Sequence, residues 1–222
     1  MDRARRAGEV SATRGRGGRS LDSSRDLVLR EAALALLAEV GYDRLTMDAV
    51  AARARAAKTT IYRRWPGKAE LVVDALTSLK GAPEIPDTGS LRQDLRALAE
   101  SITSPEGRLG AQVTIGMVSA LARDAELRRV FGEKFIAPRM AAFRAVFERA
   151  VARGEMPAGH DLDLLARLFP ALGLQQIVTS GELPGTRLAC QIMDEVVYPL
   201  ATAPAPGPCP APDAAVAGKP HE

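Results

Sequence analysis

The sequence has few of the residues that build metal centres, disulfide frameworks and acid–base active sites. Its 222 residues include only two cysteines and two histidines, and aromatic residues make up 4% of the chain. Cys190 and Cys209 lack the spacing of metal ligands, and Cys209 lies in a proline-rich segment, so no disulfide framework is expected. His160 and His221 are isolated, and no Ser/His/Asp order or glycine-rich phosphate loop is present. The sequence therefore predicts no enzyme, no cofactor and no metal site.

Long apolar runs are missing as well. Hydrophobic segments are short and interrupted by charged residues, so no membrane-spanning helix is expected. The N-terminus carries arginines, but the apolar stretch of a secretory signal does not follow them. We therefore expect a cytoplasmic protein that does not contact a membrane.

Positive charge is confined to the N-terminal third of the chain. Residues 1–20 carry six basic and two acidic residues (+4), and residues 21–80 carry ten and eight (+2). Residues 81–200 carry thirteen basic and fifteen acidic residues (−2), and residues 201–222 carry a net charge of −1. The four segments together give the net charge of +3. A polyanionic partner of the N-terminal third explains this asymmetry, and so does a solubilising arm next to a mixed surface.

Apolar residues recur at helical spacing between residues 21 and 200, which predicts an all-α fold. Residues 1–20 are rich in arginine and glycine and are predicted to be a disordered basic arm. Residues 81–90 contain two prolines and two glycines and form a linker between two helical domains, over 21–80 and 81–200. Residues 201–222 are rich in alanine and proline and are predicted to be a disordered tail.

Within residues 21–80 the pattern predicts four helices. The first begins near residues 22–24 and ends at Gly41, and the second begins at the N-cap residue Thr46. The third spans roughly residues 58–65, and the fourth begins near Lys68, after a Pro-Gly break. Further helices are predicted for 91–102, 107–123, 124–153 with a kink or split at Pro138, 161–180 with Pro170 inside, and 185–198 with an end at Pro199.

The third helix has an inner and an outer face. Ile61 and Trp65 are four residues apart and share one side of the helix, so we expect both to point into the core. The residues left mostly outside are Lys58, Thr59, Thr60, Tyr62 and Arg63. Between residues 55 and 68 there are five basic residues and no acidic one.

The segment from Leu29 to Leu79 resembles the N-terminal domain of the tetracycline-repressor (TetR) family of transcriptional regulators. The matching stretches are A-A-L-A-L-L-A-E-V-G-Y (32–42), L-T-M-D-A-V-A-A-R-A (45–54) and K-T-T-I-Y-R-R-W-P-G-K-A-E-L (58–71). This resemblance implies a helix-turn-helix motif over 46–65. It also implies a homodimeric regulator, most often a repressor, that a small molecule releases from a palindromic operator. The chain beyond residue 81 resembles the family's effector and dimerisation domain only weakly.

Two residues in the turn depart from the family pattern. Where the family usually has glycine, and serine two positions later, this chain has Arg55 and Ala57. A residue other than glycine in a left-handed conformation costs about 1 kcal/mol, and an alanine N-cap loses roughly another 1 kcal/mol. Neither cost is large enough to abolish the fold.

The outer face predicts contacts with double-stranded DNA, because the second helix of such a motif enters the major groove. Thr59 and Thr60 can reach base edges, and Arg63 can reach a guanine or a phosphate. Lys58, Tyr62 and Lys68 are predicted to contact phosphates, which fix register without reading sequence. Thr46 can contact a phosphate, although helix capping alone is a sufficient reason for a threonine there.

Two further sets of residues are predicted in the C-terminal part. A small-molecule pocket is predicted to involve Leu98, Ile102, Val113, Met117, Phe143, Phe147 and Gln175. A four-helix dimer interface is predicted to involve Leu165, Leu168, Leu172, Ile192 and Val196. Both sets are equally compatible with an ordinary hydrophobic core. An alternative function is a helical dimer that binds a ligand or another protein without recognising an operator.

Overall fold

In the computed structural model the described part of the chain, residues 17–207, is built of α-helices and contains no β-strand. The predicted all-α fold is confirmed, whereas residues 1–16 of the predicted arm and 208–222 of the predicted tail lie outside the described residues. The helices are α1 (Gly17–Arg44), α2 (Met47–Arg53), α3 (Lys58–Arg64), α4 (Lys68–Lys80), α5 (Leu91–Thr103), α6 (Pro105–Gly116), α7 (Val118–Arg123), α8 (Ala125–Phe131), α9 (Ala137–Ala152), α10 (Leu162–Ser180), α11 (Thr186–Ile192) and α12 (Tyr198–Thr202). None of the described helices is long and apolar enough to cross a membrane.

Contacts between Cα atoms divide the chain into two compact units. The first unit contains the chain up to Ala82 together with Leu109–Ala137, and the second contains Pro83–Arg108 and the chain from Pro138 onward. The first unit thus includes more of the chain than residues 21–80, because α8 packs against α4 and α7 packs against α8. We describe each unit separately.

The first unit is assembled around α4. This helix packs against α1 and α8, while α2 packs against α3. The core contains Leu29 of α1, Val50 of α2 and Ile61 of α3, all fully or almost fully buried. Gly41 has a φ of +75°, so regular helical geometry in α1 ends at the predicted glycine although helical hydrogen bonding continues to Arg44.

A π-helical turn precedes both Pro138 and Pro199. One covers Gly132–Ile136 and the other covers Met193–Val197, and a single residue separates each of them from its proline. The predicted kink or split at Pro138 takes the form of a π turn within a continuous helical stretch, and the predicted end of the last helix at Pro199 is wrong, because the helix continues to Thr202. The wider turn places Pro199 in the first turn of α12, where its missing N–H group is not needed.

Three other predictions are corrected. The first helix begins at Gly17 and not near residues 22–24, so residues 17–20 of the predicted disordered arm are helical, because extending an existing helix costs less than starting one. For the same reason α12 extends over residues 201–202 of the predicted disordered tail. The stretch predicted as a single helix over 107–123 is divided into α6 and α7 at Met117. The last residue of α6 is Gly116, a poor helix former, and the Met117 N–H donates to the Thr114 carbonyl over a tighter three-residue turn. Pro170 lies inside α10 as predicted.

The second unit contains a buried carboxylate that orders the end of the linker. Asp94 of α5 is fully buried and accepts hydrogen bonds at 2.7 Å from both the backbone N–H and the hydroxyl of Thr88. The Arg153 guanidinium lies 3.3 Å from the second oxygen of Asp94. Buried carboxylates persist where they are paired in this way. The linker residues near Thr88 are therefore attached to α5.

Candidate nucleic-acid interface

The helix α3 is fixed to the first unit by its inner face. Ile61 is 0% exposed and Trp65 is 5% exposed, which confirms that both point into the core. The indole N–H of Trp65 donates to the Asp74 carboxylate at 2.9 Å, and the same oxygen accepts from Arg30 at 2.8 Å. A buried aromatic ring with its polar edge paired sets the rotation of α3 about its own axis.

The opposite face of α3 is open to solvent. Lys58, Thr59, Tyr62 and Arg63 are exposed, whereas Thr60 is half-buried. Tyr62 retains 52% exposure, which is large for an aromatic side chain. The face therefore offers a cation, hydroxyl groups and an aromatic ring, while its buried side carries no charge.

Thr46 caps α2 as predicted. Its hydroxyl oxygen accepts a hydrogen bond from the Ala49 N–H at 3.1 Å. A threonine hydroxyl also carries one proton to donate, so the cap leaves Thr46 able to bind an acceptor from outside the protein. Helix capping and phosphate contact are thus compatible at this residue.

Lys58 is engaged by a carboxylate of the preceding helix. Its Nζ atom lies 2.6 Å from an oxygen of Asp48, and both side chains are exposed. This hydrogen bond, followed by the charge attraction of Asp48, raises the pKa of Lys58 above its usual value. Lys58 is therefore a firmly protonated ammonium whose present partner is an anion of the protein itself.

Lys68 joins three helix ends of the first unit. Its Nζ atom donates to the Tyr42 carbonyl at 3.0 Å and lies 4.1 Å from the centre of the Tyr42 ring. The Tyr42 hydroxyl in turn donates to Asp124 at 3.2 Å, at the N-terminus of α8. Burial, and then the charge of Asp124, raise the pKa of Tyr42 far above its usual value. Lys68 holds the fold together and still has two N–H donors to offer.

The turn between α2 and α3 carries both departures from the family pattern. Arg55 has a φ of +51° and is the one residue other than glycine with a positive φ in the described part of the chain. Ala57 occupies the N-cap position of α3, and no side-chain hydrogen bond caps that helix. Arginine thus occupies the left-handed conformation expected of glycine, at a cost of about 1–2 kcal/mol.

Restoring the missing cap is expected to stabilise the first unit. The substitution Ala57→Ser supplies a hydroxyl that can accept from the free N–H groups of α3, which adds about 1 kcal/mol to the free energy of unfolding. Chemical denaturation measures the change. Ala56→Ser is the matched control, since Ala56 precedes the cap and partly packs on the core. An equal or larger gain from the control would contradict the capping explanation.

The residues predicted for a ligand pocket fall in two different units. Val113 and Met117 pack in the core of the first unit, and Leu98, Ile102, Phe143 and Phe147 pack in the core of the second. Gln175 is exposed on α10. The structure therefore brings four of the seven residues together as hydrophobic core, and the pocket itself stays a prediction.

An open cavity of about 360 Å³ lies elsewhere in the first unit, beside Trp65. Its lining is charged, and four of its charged residues form ion pairs with one another: Arg30 with Asp74 at 2.8 Å and Arg64 with Asp26 at 3.3 Å. None of the residues predicted for the ligand pocket lines it. We assign it no ligand.

The residues predicted for a dimer interface are largely used within the second unit. Leu165 and Ile192 are buried in its core, and Leu168 and Leu172 are half-buried against that core. Val196 is half-buried as well. Leu165 and Ile192, being buried in the protomer, are used as core, whereas a role of the three half-buried residues in an interface stays a prediction.

A different face of α10 is apolar and exposed. Leu164, Leu174 and Val178 are 57%, 44% and 78% exposed. With Ala171, Gln175 and the exposed Arg167 they recur at helical spacing on one side of the helix, which we call the α10 stripe. The interface residues predicted from sequence do not include Leu174 and Val178. Apolar residues occur on most sides of α10, so periodicity alone did not separate its inner from its outer face.

Comparisons with known proteins agree with this architecture. The family described as "Bacterial regulatory proteins, tetR family" matches residues 29–75, and "Tetracyclin repressor-like, C-terminal domain" matches residues 85–196. The first match covers α2, α3 and most of α4. The second covers more than half of the whole chain.

Individual proteins are similar over most of the chain. An uncharacterised HTH-type transcriptional regulator of Mycobacterium tuberculosis is 36% identical over 81% of this chain and 89% of its own length. The "DNA-binding transcriptional repressor TetR" of Mycobacteroides abscessus is 34% identical over 80% of this chain and 94% of its own length. The structure of the flavonoid-responsive regulator FrrA superimposes with a TM-score of 0.58 at 21% identity, over 80% of this chain and 94% of that one.

Proposed function

The chain belongs to the TetR family of bacterial transcriptional regulators, and from this we propose that it acts in the cytoplasm as a homodimeric repressor of a palindromic operator. DNA binding and transcriptional regulation are properties of the family. The proposal adds the dimer, the symmetry of the site, the repressing action and release by a small molecule. It describes a binding protein and includes no catalytic step.

One observation carries the proposed DNA contact, namely the orientation of α3. Burial of Ile61 and Trp65 leaves Thr59, Tyr62 and Arg63 on the solvent side. A helix with such a face fits the major groove of B-DNA, which is about 12 Å wide. We propose that Thr59, Thr60 and Arg63 contact base edges, and that Thr46, Lys58, Tyr62 and Lys68 contact phosphates.

The proposed dimer is supported by the α10 stripe. A single recognition helix buries too little surface for tight binding, and two helices about 34 Å apart can read two half-sites of a palindrome. Exposed apolar stripes of this kind mark protein–protein interfaces. We therefore place Leu164, Leu174 and Val178 at the centre of the dimer interface.

The proposed release by a small molecule is drawn from a structurally similar protein. The name of FrrA describes a regulator that responds to flavonoids, and by analogy we propose an organic effector for this chain. Such a molecule changes DNA affinity only if it binds one conformation of the dimer better than the other. Calorimetric titration of the protein–operator complex with effectors chosen from the regulated genes would test this step.

The experiment that tests the proposed function is footprinting of the purified protein on genomic DNA. We expect protection of a palindromic site, with an affinity that falls steeply as salt concentration rises. A gel-shift titration with a scrambled fragment measures the sequence preference. Absence of any sequence-preferring, salt-sensitive binding would reject operator recognition.

A second candidate function is a dimer that has kept the fold but binds a ligand or a protein without recognising DNA. The strained Arg55 and the uncapped α3 favour this candidate, since both weaken the turn that orients the recognition helix. Footprinting distinguishes the two candidates directly.

The substitution Lys68→Ala is expected to weaken binding to all DNA sequences alike. Loss of one phosphate contact should make the slope of log K against log salt shallower by about 0.9, with the preferred sequence unchanged. Because Lys68 also donates to Tyr42, the melting temperature of the variant should be measured first. Lys134→Ala removes an equal charge from an exposed residue outside the motif and serves as the control. An altered sequence preference would show that Lys68 reads bases.

A further inference from the structure

Asp48 forms an ion pair with Lys58 and so places a carboxylate next to the basic outer face of α3. Residues 55–68 include five basic residues and no acidic one. Nevertheless, Asp48 in the first turn of α2 extends to Lys58, the first residue of α3, with 2.6 Å between the charged atoms. The pair connects two helices of the motif.

The carboxylate of Asp48 occupies the chemical role that a DNA phosphate would take. Both groups are anionic oxygen acceptors, and an ammonium group pairs with either. In the described part of the chain, Asp48 is the one carboxylate that forms an ion pair with Lys58. A phosphate that reaches Lys58 must therefore compete with Asp48 for the same charge.

We infer that Asp48 limits the affinity of the protein for DNA of any sequence by competing with phosphate for Lys58. The inference rests on the proposed function, because it assumes that Lys58 faces DNA in the complex. Binding replaces one anion by another, so part of the attraction is cancelled by the loss of the existing pair. Asp48 is then left beside the phosphate backbone, where it either repels DNA or takes up a cation.

The same competition alters the salt dependence of binding. Each phosphate that a protein cation neutralises releases counterions, which adds about 0.9 to the steepness of log K plotted against log salt concentration. A cation taken up by the abandoned Asp48 offsets part of that release. Removing the carboxylate should therefore both tighten binding and make its salt dependence steeper. Since phosphate contacts carry no sequence information, operator and scrambled DNA should be affected alike.

The test compares Asp48→Asn with the wild type on the operator and on a scrambled fragment, between 50 and 200 mM salt. We expect binding about 1.5- to 5-fold tighter on both fragments, with a slope steeper by up to about 0.9. Asp48→Ser repeats the measurement with a second uncharged side chain, in case the amide disturbs the first turn of α2. A thermal melt of each variant confirms that α2 is folded.

Two further variants separate the inference from simpler explanations. In a Lys58→Ala background, Asp48→Asn should leave the salt slope unchanged, because no ammonium remains to be released. Glu126→Gln removes the same charge from the first unit, where Glu126 pairs with Arg129, and should change DNA affinity little. An equal gain from Glu126→Gln, an equal gain without Lys58, or no gain at all would overturn the inference. Failure of the wild type to bind DNA would instead reject the proposed function.

Discussion

If the proposed dimer forms through α10, replacing Leu174 and Val178 together by aspartate is expected to convert it to a monomer and to weaken binding to the proposed operator by about 100-fold or more. Both residues lie on the exposed α10 stripe, with 44% and 78% of their surface accessible. Aspartate at the centre of an apolar interface would be buried next to its own symmetry mate, which is strongly unfavourable. The monomer would retain one recognition helix and lose the gain from binding two half-sites at once.

Sedimentation velocity and a DNA titration at the same protein concentration check this result together. Ile85→Asp is the matched control, because Ile85 is an apolar residue of the second unit with similar exposure, 47%, and lies outside α10. We expect the control to remain dimeric and to bind DNA normally. A double variant that is still a dimer would place the interface on another surface. A monomer with undiminished operator affinity would contradict the link between dimerisation and DNA binding.

The second large effect, a loss of stability, is expected from Trp65→Ala. Tyr62→Ala, on the other face of α3, is expected to weaken DNA binding without this loss. Removing the buried indole should lower the free energy of unfolding by about 3–5 kcal/mol and abolish DNA binding, because α3 loses its anchor. Removing the exposed phenol should change stability by no more than about 0.5 kcal/mol and still weaken DNA binding several-fold. Chemical denaturation and gel shift, applied to both variants, separate the inner from the outer face of one helix.

Trp65→Phe refines the comparison. This variant keeps an aromatic ring in the core and loses the N–H bond to Asp74, so its stability should lie between those of the wild type and Trp65→Ala. If Tyr62→Ala proves as destabilising as Trp65→Ala, the assignment of α3's faces is wrong. If Tyr62→Ala binds DNA like the wild type, Tyr62 is not part of the interface.

The sequence predicted the elements that depend on local chemistry. Thr46 as an N-cap follows from its hydroxyl, and the burial of Ile61 and Trp65 follows from helical periodicity. The positive φ of Arg55 could be anticipated because the family resemblance implies a glycine at this position of the turn. In each case the deciding interaction joins residues within a few positions of one another.

Interactions between distant residues could not be predicted in the same way. Lys68 reaches a carbonyl 26 residues earlier, and Tyr42 reaches a carboxylate 82 residues later. Nothing in the local sequence indicates that α8 belongs with the first unit. The exposure of Val178 could not be predicted for a related reason, since α10 is apolar on most sides and only packing decides which side remains exposed.

The π turn at Met193–Val197 has a consequence for how the C-terminal end of the chain can change in length. A π turn accommodates one more residue than an α-helical turn, so the chain there already contains what amounts to a one-residue insertion. Deleting that one residue would turn the π turn into a regular α-helical turn and leave the residues after it facing the same way. Ala201, fully buried in α12, would therefore stay in the core. The same deletion in a regular α-helix would rotate everything after it by about 100°, so this segment tolerates a change in length that the other helices do not.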